Sequence, residues 1–312
     1  PRTETFCHEG GLAEYVESLC TGKKPLWGDA KSADPEQRPV VRMEATSGGV
    51  AVDIALRWSA DAYTDTIVGF ANAVRTPNGG SHVDGLRAAI GRALADEFKA
   101  RYDALAPQGA YMLSPAETGR RRLRNACLAY LVASGDPEGI ERAAAQYQSA
   151  DNMTDALAAL ACLVDTESEA RAEALRDFES KWRDDALVMD KWFALQAGSS
   201  RATVLEEVQA LQDHAAFSMR NPNKVRSLLR SFAANAVGFH RRDGQGHVYL
   251  ADRVLELDAF NPQIASRLVA PLGRWRQHAE PWASSMRAQL ERIQQAGKLS
   301  KDTFEMVSKS LA

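Results

Sequence analysis

The feature that most constrains this chain is a change of hydrophobic period along its length. Val50, Val52, Ile54, Leu56 and Trp58 alternate with Ala51, Asp53, Ala55 and Arg57. A period of two places one face in a core and one toward solvent, so it predicts a half-buried strand. Beyond about residue 95 the alternation stops. Leu123, Ala126, Cys127, Tyr130 and Leu131 recur at helical spacing, as do Met153, Ala156, Leu157, Leu160 and Val164. That spacing predicts amphipathic helices. The expected fold is therefore mostly α: a C-terminal multi-helix array, layered or solenoid-like, behind a partial α+β segment with a β-hairpin.

Local signals fill in this outline. Leu12, Tyr15, Val16 and Leu19 predict an early helix, and the breaker-rich Lys31 to Pro39 a loop. The β-prone run Tyr63 to Val74 is expected to pair back on the 50–58 strand as a hairpin. Thr76 to Gly80 predicts a turn entering a helix near Val83. Ser134 to Gly139 and Arg220 to Asn223 separate further helices, and Asn261-Pro262 marks a turn or helix start. No strict repeat period is visible.

Composition narrows the function classes. Charge is nearly balanced at −3 over 312 residues, so a bulk polyanion is not an expected partner. No apolar run approaches the roughly 18 residues of a membrane span, and no secretory signal opens the chain. Cys7, Cys20, Cys127 and Cys162 show no C-x-x-C spacing and predict free thiols in a reducing compartment. Pro1 stands where Met would begin a complete product, so a fragment or processed chain is expected.

Chemical motifs are few. Gly79 to Gly85 lacks the lysine ending of a phosphate loop and reads as a tight turn before a helix. His8-Glu9 begins like the zinc motif H-E-x-x-H, but position 12 is Leu12, so no complete zinc site is expected. No nucleophile elbow is present. Trp182, Met189, Trp192 and Phe193 follow helical spacing and are expected in the core. Arg120, Arg121, Arg122 and Arg124 lack interleaved aromatics, so a solvated helix face or a domain contact is expected rather than nucleic-acid binding.

Two resemblances follow from longer stretches. FCHEGGLAEYVESLCTGKKPL and VDIALRWSADAYTDTIVGFANAVRTPNGGSHVDGLRAAIGRAL, spanning about Phe6 to Leu94, resemble the start of the transducer domain of DNA gyrase B. In that family the domain relays the state of an ATP site to a DNA gate. The ATP-binding parts would lie outside this chain, so no ATP or magnesium contact is carried over. GRRRLRNACLAYL, NMTDALAALACLV, FESKWRDDALVMDKWFALQA, FSMRNPNKVRSLLRSFAANAVGFHRRDGQGHVYLAD, LDAFNPQIASRLVAPLGRWR and MVSKSLA resemble the C-terminal domain of bacterial aminopeptidase N, a gluzincin metallopeptidase.

The second resemblance implies an armadillo- or HEAT-like bowl of helices over about 95–312 that covers a zinc-bearing catalytic domain. Its zinc ligands and catalytic residues would lie upstream, so no catalytic or metal residue is assigned here. Arg226 and Arg267 match positions where the family points arginines into the substrate cavity. A fixed guanidinium there can pair with carboxylate or carbonyl oxygens of a peptide; a structural arginine at a helix end is the alternative. The implied domains are 1–94 and 95–312.

The implied partners are a peptide substrate together with the missing catalytic domain, with no membrane and no direct nucleic-acid contact. The implied location is the cytoplasm or a plastid. The chain alone is expected to be inactive, and the joining of two partial proteins suggests a composite or truncated product. The alternative function is a fragment of the ATPase component of a type II topoisomerase, acting in nucleotide-driven relay. A helical scaffold for protein partners is a third reading, favoured if Arg226 and Arg267 are buried in salt bridges.

Overall fold

The computed structural model describes residues 11–25, 39–59, 66–71, 74–75 and 80–312. The chain divides into two compact units, Pro1–Ile67 and Val68–Ala312. His8, Glu9, Cys7, most of the predicted 31–39 loop and residues 76–79 of the predicted turn lie outside the described residues.

In the first unit, α1 (Gly11–Leu19) forms where the helical spacing predicts it. The 50–58 alternation forms β2 (Val50–Arg57), but its partner is β1 (Val40–Ser47), which precedes it. Of the run expected to pair back on β2, residues 63–65 and 72–73 lie outside the described residues, and Phe70–Ala71 pairs with Val74–Arg75. Gly48 and Gly49 take φ of +56° and +79°, the left-handed pair that a two-residue hairpin turn requires. This Gly-Gly signal lies between two alternating runs, and the hairpin closes through it. Gly11 lies against the Arg42 guanidinium, and Arg57 donates to the Lys23 carbonyl at 2.8 Å. The helix and its following loop therefore pack toward the hairpin face that carries Arg42 and Arg57.

The second unit opens with two short paired strands, β3 (Phe70–Ala71) and β4 (Val74–Arg75). Helices follow in succession: α2 (Ser81–Ala93), α3 (Ala95–Ala104), α4 (Pro115–Ala133), α5 (Pro137–Ser149), α6 (Met153–Val164), α7 (Glu169–Trp182), α8 (Ala186–Ala197) and α9 (Val204–Gln212). The array continues through α10 (Pro222–Val225), a π-helical turn (Arg226–Arg230), α11 (Ser231–Ala234), α12 (Ala236–Phe239), α13 (Gln245–Asp258) and α14 (Pro262–Leu268). A 3₁₀ turn (Leu272–Gln277), α15 (Trp282–Gln295) and α16 (Lys301–Leu311) complete it. Neighbours in sequence pack on one another: α3 on α4, α5 on α6, α7 on α8, α13 on α14 and α15 on α16. This is a helical array of the expected class.

Helix starts are written in the sequence. Ser114, Asp136, Asn152, Ser168, Asp185, Asn221, Asn261 and Ser300 each accept a backbone N–H of the first turn. Such caps satisfy donors that the helix leaves orphaned. Pro115, Pro137, Pro222 and Pro262 follow their caps directly, where a missing N–H costs nothing.

One core runs through the array, with Phe178, Phe193, Phe232, Phe239, Leu128 and Leu160 among its fully buried members. Met189, Trp192 and Phe193 lie in it as expected, and the Trp192 indole donates to the Leu175 carbonyl at 3.1 Å. Trp182 departs from expectation. It is the last residue of α7 and is 37% exposed. Leu123 likewise points out, and Leu128 takes the buried place on α4.

α2 also belongs to this packing. Gly91 lies directly on the Tyr130 carbonyl of α4, where any Cβ would collide. Glycine is required there by close approach of the two helices. Gly246 plays the same part at the start of α13, against the carbonyls of Gly238 and Phe239.

Candidate functional site

The two candidate arginines stand on short helices that begin alike. Asn221-Pro222 starts α10 and Asn261-Pro262 starts α14, each with the asparagine side chain accepting a first-turn N–H. Arg220 stacks its guanidinium over the Phe260 ring at 5.1 Å, so the two starts lie side by side. The π-helical turn that follows α10 begins at Arg226.

Both candidates are exposed. Arg226 donates to Asn223 Oδ1 at 3.2 Å, a contact within its own turn. The Arg267 side chain makes no hydrogen bond or ion pair among the described residues, and neither kind of bond joins it to Arg226. Neither is buried in a salt bridge, the condition that favoured the scaffold reading. A cleft of about 340 Å³ between α9 and α13, lined by Gln209, Gln212, Asp213, Gln245, Tyr249 and Arg253, excludes both.

What holds α10 in place is Lys224, which sequence reasoning missed. It is 4% exposed, pairs with Asp190 at 2.9 Å and donates to the Ala186 carbonyl at 3.0 Å. Its ammonium also lies 5.4 Å from the centre of the Phe193 ring. A buried lysine needs such a set of partners to stay charged. It ties the turn bearing Arg226 to α8. The sequence signal was only a lysine two residues before an arginine after Asn-Pro, with its acid far upstream.

The basic run on α4 proves largely structural. Arg121 is buried, donates to the Met112 carbonyl at 3.1 Å and lies over the Tyr111 ring at 4.7 Å. Arg120 binds Glu117 and the Leu105 carbonyl. Arg124 donates to Gln146 Oε1 at 2.8 Å and covers the Tyr102 ring at 4.1 Å. Only Arg122 of the four is exposed. Arg122 lies on a solvated face, and the three others anchor the α3–α4 loop and a polar hub. In that hub Tyr102 and Arg124 both donate to Gln146, whose amide donates to Asn125 and to the Asp155 carbonyl.

A second cluster was invisible in sequence. His240, His247 and His278 come together from α12's end, α13 and the 3₁₀ turn's end. His240 Nδ1 and His247 Nε2 lie 3.2 Å apart, and His247 Nδ1 lies 2.8 Å from Ser285 Oγ. The His240 and His278 rings are 4.4 Å apart. Burial and the neighbouring imidazoles push His240 down to about 3, and burial with His278 pushes His247 down to about 4. These are neutral, packed imidazoles at neutral pH. No group of three or more residues among those described has a metal-binding arrangement.

Capped helices packed in succession around one core define a helical-repeat protein. Residues 80–312 match the family described as "Domain of unknown function (DUF3458_C) ARM repeats", and the chain belongs to that family. Residues 11–110 match the DNA gyrase B family, so both matches include α2 and α3. Aminopeptidase N of Escherichia coli is 41% identical over 220 residues, which are 70% of this chain and 25% of that protein. Aminopeptidase N of Caulobacter vibrioides is 41% identical over 229 residues, 73% of this chain and 26% of its own length. The chain thus spans about a quarter of these relatives.

The chloroplastic/mitochondrial DNA gyrase B of Oryza sativa is 39% identical over 89 residues, 28% of this chain and 11% of that one. Among solved structures, Legionella pneumophila aminopeptidase A in complex with aspartic acid matches with a TM-score of 0.67 at 29% identity. That match covers 72% of this chain and 27% of the other. Both sequence resemblances are thereby established. Among the described residues, no helix is long and apolar enough to cross a membrane.

Proposed function

We propose that residues 80–312 act as the helical part of a zinc aminopeptidase, covering the catalytic chamber and shaping peptide access. The observation that carries this reading is the 41% identity to aminopeptidase N across most of the chain. Closing a chamber would keep water and folded proteins from the metal. The zinc and its ligands would come from the catalytic domain of such an enzyme. None of the described residues here is assigned to hold it.

Arg226 and Arg267 are proposed as cavity residues. Their exposure, and the seating of α10 by Lys224, fit side chains held ready for a ligand rather than spent on the fold. Their role would be to pair with peptide carbonyl or carboxylate oxygens beyond the scissile bond. The proposed working location is the cytoplasm or a plastid.

The test is a graft. Residues 80–312 replace the matching part of Escherichia coli aminopeptidase N, and hydrolysis of an alanyl anilide and of a tetrapeptide is measured. Activity is expected, and Arg267→Ala is expected to raise KM for the peptide more than for the anilide. A graft that folds without hydrolysing either substrate would defeat the proposal. So would zinc-dependent hydrolysis by the chain alone, which is expected to be absent.

The gyrase B match over 11–110 supports a second reading, a piece of a nucleotide-driven relay. ATP-dependent dimerisation of the chain would favour it.

A further inference from the structure

The β1–β2 hairpin has eight residues in each strand, paired without a bulge from Val40↔Arg57 to Ser47↔Val50. Among the described residues the sheet holds only these two strands. One row of β1 backbone groups therefore has no ladder partner among the described residues. The two-residue turn decides which row. Ser47 and Val50 flank it and exchange hydrogen bonds, so Ala45, Met43 and Val41 also direct their backbone toward β2. Val40, Arg42, Glu44 and Thr46 direct theirs outward.

This edge has no proline, no lysine and no bulge, the devices that commonly keep a strand edge from pairing. Beside it the face holding Met43, Val50 and Val52 is exposed to 47%, 62% and 46%. β2 is partly engaged, because its extension reaches a bridge between Ser59 and Pro25.

We infer that β1 is a self-association edge: two copies of this chain join their β1 strands antiparallel about a two-fold axis at Met43, making one four-stranded sheet. The register follows from charge. Centring the pair on Met43 sets Arg42 of each copy opposite Glu44 of its partner, and Val40 opposite Thr46. All four are residues whose backbone groups face outward, so the hydrogen-bonding parity is met. Centring on Arg42 or on Glu44 would oppose like charges; centring on Val41 sets Arg42 opposite Val40, and centring on Ala45 sets Glu44 opposite Thr46, so neither forms an ion pair between the two β1 strands. Glu44 already stands opposite Asp53 in its own hairpin, with Arg42 serving both acids. A second arginine from the partner copy relieves that crowding. The apolar strip of Val41, Met43, Ala45, Val50 and Val52 becomes continuous with its copy.

Sedimentation equilibrium of the full chain at about 1–100 µM tests this, with the edge itself as the variable. A concentration-dependent dimer is expected. Glu44→Pro removes an outward N–H and spares the β1–β2 ladder, so it is expected to abolish the dimer. Glu44→Arg keeps the N–H but opposes two arginines, and is expected to weaken the dimer about tenfold. Met43→Cys places two thiols about 4.5 Å apart by Cα across the axis, within disulfide reach, and is expected to give an oxidised dimer. The unsubstituted chain, with its own four cysteines, is the oxidation control.

A strictly monomeric chain would overturn the inference. So would a dimer indifferent to Glu44→Pro, or a Met43→Cys variant that stays unlinked while dimeric. A foreign protein found on the edge in place of a second copy would overturn it too.

Discussion

The hairpin unit and the helical unit carry equally clear hydrophobic patterns, and they fare differently. In the first, Val50, Val52, Ile54 and Leu56 alternate without fault, yet no described side chain of α1, β1 or β2 is buried. In the second, Leu128, Leu160, Leu163 and Phe193 have no exposed surface at all. A period says which side chains share a face. Burial needs another layer to cover that face, and two strands with one nine-residue helix offer little cover. The helices of the second unit supply it to one another in sequence order, as a repeat array does.

This contrast can be broken most directly by limited proteolysis. The expected product is a resistant core beginning between residues 68 and 95 and running to the C-terminus. A resistant fragment spanning 1–150 would show that the first unit is as firmly held as the second.

Side-chain truncation is the next test. Leu160→Ala and Phe193→Ala are expected to cost about 3–5 kcal/mol in urea unfolding, from lost burial and a residual cavity. Val52→Ala in the hairpin is expected to cost under about 1 kcal/mol. Equal losses would erase the distinction between the units.

Ion pairs extend it. Lys224→Ala leaves Asp190 without its cation in a largely buried place and is expected to cost roughly 3 kcal/mol. Arg42→Ala breaks a two-pronged bond to Asp53 at 3.0 and 2.9 Å, but in solvent, where a far smaller loss than that of Lys224→Ala is expected.

Acid separates the units in another way. Unfolded, each imidazole titrates near 6.5, whereas folded His240 titrates near 3 and His247 near 4. Below 6.5 the unfolded chain binds protons that the folded one refuses. The second unit therefore keeps this stability above about pH 7 and loses it progressively as the pH falls toward 4. Urea midpoints measured across that window should fall with pH, and His247→Phe should flatten the slope. An unchanged slope would show that the cluster is open to water.

The smallest effect belongs to the caps. Asn152→Ala, at the start of α6, is expected to cost about 1 kcal/mol in thermal unfolding. A far larger loss would mean that the hub through Asp155 hangs on this cap, since the Asn152 amide also donates to the Asp155 carboxylate at 3.0 Å.

Much of this could be read from residues alone. A helix start was legible at Asn261-Pro262 because capping is local chemistry within one turn. The two resemblances were legible because they rest on long, ordered stretches. β1 was missed because Val40 to Ser47 offers weaker β-formers than Tyr63 to Val74. The Gly48-Gly49 turn joins it to β2 with only two residues. The partners of the α4 arginines were not legible because acceptors such as Met112 and Gln146 come from a loop and another helix.

By itself the sequence determined where several helices and the second hairpin strand lie, which period each follows, and which families the two parts resemble. These depend on interactions a few residues long or on order along the chain. Only the tertiary structure decided that Lys224 meets Asp190, that three distant histidines share one neutral pocket, and that Gly91 lets α2 lie on α4. Those outcomes depend on which surfaces meet, and separation along a chain does not encode distance across a packed array.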